Sequence, residues 1–225
     1  MDLYIRENYL KKIRGFYHAD DLIKVITGVR RSGKSSLMQM IADELKSSGI
    51  PESQIIYFDL DKREYRNVVT ADKLEALIMS KCVTDEMKYL FIDEVQNVKD
   101  FETVLNGFRT EGNWSIFITG SNSYLLSGEL VTKLPGRYIE FEIFPLDLQE
   151  YEGRKTFFGK PINSNPMIEL TNYILEGGFP RAILFDDMAD KRKYVQGVVS
   201  EIFEKDIRKR LKIKNKESFE TVRKY

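Results

Sequence analysis

The sequence predicts an α/β fold: a parallel sheet covered by helices on both faces, followed by a smaller helical region. Three observations carry that expectation. Short, apolar, β-rich runs alternate with helix-length stretches in units of about 30 residues, the rhythm of parallel strands joined by crossover helices. The rhythm stops near residue 153, after which helical patterns follow with no strand signal. The chain has 225 residues, 42% of them hydrophobic and 31% charged, which is enough apolar material for a core and far from a disordered composition. The expected division is a core over 1–152, then a helical lid and the start of a C-terminal region over 153–225.

Each element has its own signal. Residues 1–22 read as an amphipathic helix or arm. The run IKVITG (Ile23–Gly28) is short, apolar and ends in glycine, as a buried parallel strand does. The next helix is expected from about Lys34 to Ser48, with Leu37, Ile41 and Leu45 at four-residue spacing; Gly49 and Pro51 stop it. IIYFDL (Ile55–Leu60) is a second strand and ADKLEALIMSKC a second helix. MKYLFIDE (Met87–Glu94) makes the third strand and FETVLNGFRT the third helix. WSIFITGS (Trp114–Ser121) is a fourth strand, followed by the helical stretch NSYLLSGEL. RYIEFEIFPL (Arg137–Leu146) alternates more clearly and reads as a less buried fifth strand ended by Pro145. Gly153–Pro166 reads as a loop, with helical segments IELTNYILEG and RAILFDDMADKRKYVQGVVSEIFEKDIRKRL beyond it.

Composition closes several doors. One cysteine, Cys82, cannot form an internal disulfide, which points to an intracellular protein, and it reads as a small apolar filler in the helix around it. One Cys and one His (His18) cannot supply a four-ligand zinc site. No apolar run approaches the roughly 20 residues of a bilayer span, and the acid-bearing N-terminus is unlike a signal peptide. A soluble, cytoplasmic protein is expected, with no membrane partner. The chain ends in a helix-like run, TVRKY, without a terminal signal, so a truncated sequence is expected.

The chemistry is carried by Gly28-Val29-Arg30-Arg31-Ser32-Gly33-Lys34-Ser35, which matches G-x-x-x-x-G-K-[ST] between an expected strand and an expected helix. Glycines let such a loop fold around a phosphate with its N–H groups inward. The helix that follows turns unpaired donors and the positive end of its dipole to the same anion. Lys34 adds a mobile point charge for the β- and γ-phosphates, and the Ser35 hydroxyl suits Mg²⁺. Gly28, Arg30, Arg31, Ser32, Gly33, Lys34, Ser35 and Ser36 are the candidate nucleotide-binding residues. In YLFIDE, four apolar residues precede Asp93 and Glu94 at the carboxyl end of a strand, where ligands bind in open parallel sheets. Asp93 is the candidate Mg²⁺ residue beside Ser35, and Glu94 the candidate base for a water attacking the γ-phosphate. That adjacent acid favours hydrolysis over small-molecule phosphorylation. No N-K-x-D guanine reader is present, since Asn215-Lys216-Glu217-Ser218 lacks the final Asp, so ATP is the expected nucleotide. The fourth strand ends in Thr119-Gly120-Ser121-Asn122-Ser123. Ser121 and Asn122 are candidates for a residue sensing the γ-phosphate or the water, and equally for caps of the following helix.

Together, GVRRSGKSSLM, LFIDEVQNV, FITGSNSYLLSGEL, LPGRYIEFEIFPLDLQEY and EGGFPRAI resemble a prokaryotic group of AAA-type ATPases whose members usually carry a further C-terminal domain of unassigned function. The resemblance covers residues ~1–210 in the family's order. It implies a P-loop NTPase three-layer sandwich of the ASCE type, strand order 5-1-4-3-2, followed by a small helical lid, with Mg²⁺-dependent hydrolysis of ATP at Lys34, Ser35, Asp93 and Glu94. It makes Ser121 or Asn122 the first sensor and Arg137, in Pro135-Gly136-Arg137, a candidate arginine finger acting in trans in a homo-oligomer. It makes Arg181, after Gly177-Gly178-Phe179-Pro180, a candidate lid arginine reading the nucleotide, and Arg6 a candidate for stacking on adenine.

Charge is unevenly spread behind a net of zero. Residues 191–225 hold 12 Lys or Arg and 5 Asp or Glu. The excess peaks in KDIRKRLKIKNK (Lys205–Lys216), with seven basic residues and one acid. Two readings stand: a solvated helix packing Ile207 and Leu211, or a salt-dependent contact with nucleic-acid phosphates. Two functions follow. One is an ATP-hydrolysing motor or switch that moves the lid and a C-terminal domain; the other is a slow, nucleotide-dependent interaction module associated with nucleic acid.

Overall fold

A computed structural model describes residues 3–120, 133–208 and 221. They fall into two compact units: Met1–Gly28 with Gly33–Ile143, and Val29–Ser32 with Phe144–Tyr225.

The first unit is built on a five-stranded, all-parallel sheet. The strands are β1 (Ile23–Thr27), β2 (Ile55–Asp59), β3 (Lys88–Asp93), β4 (Trp114–Thr119) and β5 (Tyr138–Glu142), in the order β2-β3-β4-β1-β5. This is the expected order read from the other edge. Side chains alternate between the faces of a strand, and the sequence fills both. Ile23, Val25, Leu90, Ile92, Ile116 and Ile118 face one core, completed by α3 (Ala71–Lys81) and α4 (Phe101–Glu111) through Leu74, Ile78, Leu105 and Phe108. Ile26, Tyr89, Phe91 and Phe117 face the other, where α1 (Glu7–Ile13) and α2 (Lys34–Ser47) bring Leu10, Ile13, Leu37, Ile41 and Leu45. Each such side chain contributes roughly 1.5–3 kcal/mol by leaving water. Phe91 and Phe117 stack across β3 and β4 with centroids 4.7 Å apart.

One residue of β1 breaks the apolar pattern. Lys24 is fully buried, 4.7 Å from the Phe117 ring centroid, and its ammonium donates to the carbonyls of Ala19 and Leu22 and to Ser115 Oγ. Its three donors thus meet three acceptors. Burial still pulls its pKa down to about 7, opposed by Asp21 and Asp20. His18, exposed at this end of the sheet, places Nδ1 2.7 Å from the Tyr89 hydroxyl. Cys82 follows the last residue of α3 as its cap and is half-buried, rather than sitting inside that helix.

The second unit corrects one expectation. The loop expected from Gly153 begins later: α5 (Leu148–Phe157) runs through its first five residues, and the loop spans 158–165. Asp147 accepts the Glu150 N–H at 2.8 Å while Glu150 accepts the Asp147 N–H at 3.3 Å, a reciprocal cap worth about 1 kcal/mol. Tyr151 and Lys155, four apart, are buried and anchor the helix, which outweighs the cost of about 1 kcal/mol for an internal Gly153. Helix α6 (Pro166–Glu176) starts with proline in its first turn behind an Asn165 cap. Its Glu169 pairs with Lys155, and its Glu176 accepts from Tyr151 at 2.7 Å and Lys191 at 2.8 Å. Helix α7 (Met188–Glu201) is capped by Asp187 and continues into a π-helical stretch, Ile202–Arg208. Gly178 is required sterically: a Cβ there would lie 2.4 Å from the Leu146 carbonyl oxygen, and the Gly178 carbonyl accepts the Leu146 N–H at 2.7 Å.

Candidate functional site

The carboxyl ends of β1, β3 and β4 assemble the chemistry. The chain leaves β1 through Gly28 at φ 143° and enters α2 through Gly33 at φ 109°, conformations that a Cβ disfavours. This is why the loop carries glycine at those two positions. Gly33 is the cap residue of α2 and has no side chain to cap with, so the helix opens directly on Lys34, Ser35 and Ser36. Lys34 is 6% exposed, and its ammonium donates to the Gly28 carbonyl at 2.9 Å.

Opposite stands β3. Asp93 is 4% exposed and accepts a hydrogen bond from the Thr119 hydroxyl. Burial raises its carboxyl above the ordinary value; the Ser35 and Thr119 hydroxyls and Lys34 lower it, while Asp59, its register partner on β2, raises it. Glu94 follows at φ 56°, left-handed, and half-buried. Burial raises it as well, against a hydrogen bond from Gln96 and the charge of Lys34, with Asp93 and Asp61 adding to the rise. Two carboxyls with raised affinity for protons therefore face one lysine. A cation or a proton relieves that strain.

The residues fit a magnesium nucleotide. Mg²⁺ is held by one or two carboxylates plus phosphate and water rather than by an all-protein cage. Here one buried carboxylate and one hydroxyl lie together, and among the described residues no group of three or more His, Cys, Asp or Glu could hold a metal. The glycine loop and Lys34 supply the complement for the anion.

A family model described as an AAA domain matches residues 20–152, more than half of the chain. The chain belongs to the AAA domain family. An uncharacterized protein of Haemophilus influenzae is 37% identical to this AAA protein over 214 residues, covering 93% of the chain and 52% of the relative. The chain spans about half the length, or less, of the curated relatives it matches. Among solved structures, the Saccharomyces cerevisiae Hsp104–ADP complex superposes with a TM-score of 0.57 at 15% identity, covering 99% of this chain and 38% of that one. AMPPCP-bound DnaA from Aquifex aeolicus gives 0.50 at 17% identity, covering 99% and 68%. At such identities the likeness is one of fold.

Not every expected residue joins the centre. Within the first unit, Arg137 precedes β5 and its carbonyl pairs with Ile23 at the start of β1, so it lies at the amino end of the sheet, away from Lys34. It is exposed, and Nη1 donates to Asn106 at 3.3 Å. Arg6 is buried at 3% exposure with its guanidinium 4.4 Å from the Tyr9 ring centroid. In the second unit, Val29 packs on the Phe179, Ala182 and Val198 cluster; Arg30 is half-buried, Arg31 exposed at φ 65°, and Ser32 buried. Arg31 and exposed Arg181 both act on the Tyr194 phenol: burial raises its pKa and the two cations lower it. Ser121 and Asn122 lie outside the described residues, as do positions 209–216 of the basic run. Among the described residues, no helix is long and apolar enough to cross a membrane. The sequence reading missed Thr119 and Gln96. Thr119 stands in the polar end of the fourth strand with Ser121 and Asn122, and a hydroxyl ending an apolar strand beside an acidic pair is the signal that finds it.

Proposed function

We propose that this AAA domain binds ATP with Mg²⁺ and hydrolyses it to ADP and phosphate. One observation carries the reading: Ser35 and Lys34 of the glycine-rich loop both act on the buried carboxylate of Asp93, which supports reading the phosphate-binding motif and the acidic pair as one centre. Lys34, released from the Gly28 carbonyl, binds the β- and γ-phosphates, and the loop N–H groups hold their oxygens. Ser35 and Asp93 would hold Mg²⁺, which would supply neutralisation of the phosphate charge. Glu94 orients a water and takes its proton while the oxygen bonds to the γ-phosphorus and ADP leaves. The raised affinity of Glu94 for a proton suits a base.

The activity is read as that of a motor or switch that moves the lid over 153–225 and a further C-terminal domain. Arg181 and Arg31, gathered at Tyr194, are the pair proposed to report the nucleotide state. Arg137, at the far end of its own sheet, is proposed to serve as a finger for a neighbouring copy in a homo-oligomer. The test is steady-state phosphate release from ATP with Mg²⁺ and with EDTA. Mg²⁺-dependent release from the wild type, absent in Glu94→Gln, is expected. Equal release from both proteins refutes Glu94 as the base, and none from folded wild type refutes hydrolysis.

A further inference from the structure

Glu94 sits just beyond β3 with φ 56° and ψ 46°. An L-residue with a long side chain is crowded there by its own Cβ, and only Asn or Asp has a side chain short enough to compensate locally. Backbone strain of this kind persists when surrounding groups impose it. Two side chains from outside the residue do so here. Thr119, the last residue of β4 and fully buried, accepts the Glu94 N–H at 3.1 Å and donates its only proton to Asp93. Gln96 donates its side-chain amide to Glu94 Oε2. The turn is closed by the Asn97 N–H on the Glu94 carbonyl at 3.1 Å.

The Gln96 amide can bond only in this sense, since turning it over would set its carbonyl oxygen against a carboxylate. Its own Oε1 is then left buried with no hydrogen-bond partner among the described residues. Buried acceptors are nearly always met, and one that is not calls for an account. An amide that leaves its acceptor unmet while holding a carboxylate is placed for the carboxylate and not for the fold.

We infer that Thr119 and Gln96 are positioning residues, which together hold Glu94 in its left-handed conformation and so fix the direction of its carboxylate for activating water. Neither touches the nucleotide or the attacking water: Thr119 acts on the backbone of Glu94 and Gln96 on its side chain. Thr119 also ties both acids to the tip of β4, so any displacement of that tip reaches Asp93 and Glu94 together. The inference rests on the hydrolytic reading for its purpose, but not for its geometry.

Two measurements test it. The first is denaturant unfolding of the nucleotide-free protein in a double-mutant cycle. Glu94→Gly, free to adopt a left-handed conformation, shifts the midpoint upward, and Thr119→Val shifts it downward more in that background than in the wild type, where losing the clamp also releases the strain. The second is turnover. Thr119→Val and Gln96→Met lower kcat by about 10–100-fold, the scale of a misplaced catalytic group, while Thr119→Ser restores it and Gln96→Met leaves KM unchanged. Gln96→Met carries the test if Thr119→Val does not fold. Equal shifts in both backgrounds, or wild-type kcat in Gln96→Met, overturn the inference. A wild type that releases no phosphate sinks the hydrolytic reading instead, and the unfolding cycle still decides whether the clamp exists.

Discussion

The two ends of the sheet each bury a charge, and they treat it differently. At the amino end, the Lys24 ammonium meets three fixed acceptors: two carbonyls and the Ser115 hydroxyl, whose own proton goes to the Tyr17 carbonyl at 2.7 Å. At the carboxyl end, Asp93 receives the Thr119 hydroxyl, stands beside Asp59 and Glu94, and keeps a raised affinity for protons. One end spends its polar groups on closing the structure, and the other holds negative charge in reserve. Left-handed backbone at Glu94 and positive φ at Gly28 and Gly33 accompany the second arrangement. What distinguishes a site from a structural ion here is the charge left for something else to neutralise.

The largest expected effect concerns the reserved charge. Glu94→Gln should lower ATP turnover by about 10²–10⁴, the usual worth of a general base, while nucleotide binding persists. Next, Lys34→Ala should weaken equilibrium binding of an ATP analogue by roughly 10–100-fold, as loss of charged hydrogen bonds does.

Stability should then separate the two ends by sign. Lys24→Met leaves three acceptors unmet and should cost about 1–3 kcal/mol in denaturant unfolding at neutral pH. Asp93→Asn removes a charge that the fold disfavours and should stabilise the nucleotide-free protein by about 1 kcal/mol while abolishing the effect of Mg²⁺ on binding. The sign follows from linkage. Between 3.8 and its raised folded value, the native state holds the Asp93 proton more tightly, so its contribution to stability falls as pH rises through that window. Should both variants move stability in the same direction, the contrast fails.

A further effect, spread over a range of pH, lies on the alkaline side. Lys24 titrates at about 7 in the fold against 10.5 as the ordinary value, so the unfolded chain holds the extra proton in between. Its contribution to stability should therefore rise from about pH 7 towards pH 10, and the wild-type curve should be steeper there than that of Lys24→Met.

The sequence shows which parts of this arrangement are local. IIYFD, KYLFID and WSIFIT announce themselves as strands because both faces of a parallel sheet are apolar, and α2 starts and stops within a residue of its signals at Lys34 and Ser48. The loop from Gly28 to Ser35 is legible because its residue types are dictated by phosphate chemistry. The rest depends on partners distant in the chain. Lys24 looks like an interruption until Ser115 and Ala19 are seen around it. Thr119 is one more strand residue until β4 is laid beside β3. The strain at Glu94 has no sequence signature, since glutamate is a poor left-handed residue. Helix α5 was hidden by Gly153, whose breaking tendency is visible locally while the burial of Tyr151 and Lys155 is not.

The centre as a whole is tested most directly by calorimetric titration of a non-hydrolysable ATP analogue into the wild type and into Lys34→Ala, each with Mg²⁺ and with EDTA. Saturable uptake by the wild type, tightened by Mg²⁺ and weakened in Lys34→Ala, is the predicted result. No heat from folded wild type, or one affinity shared by both proteins in both buffers, would contradict it.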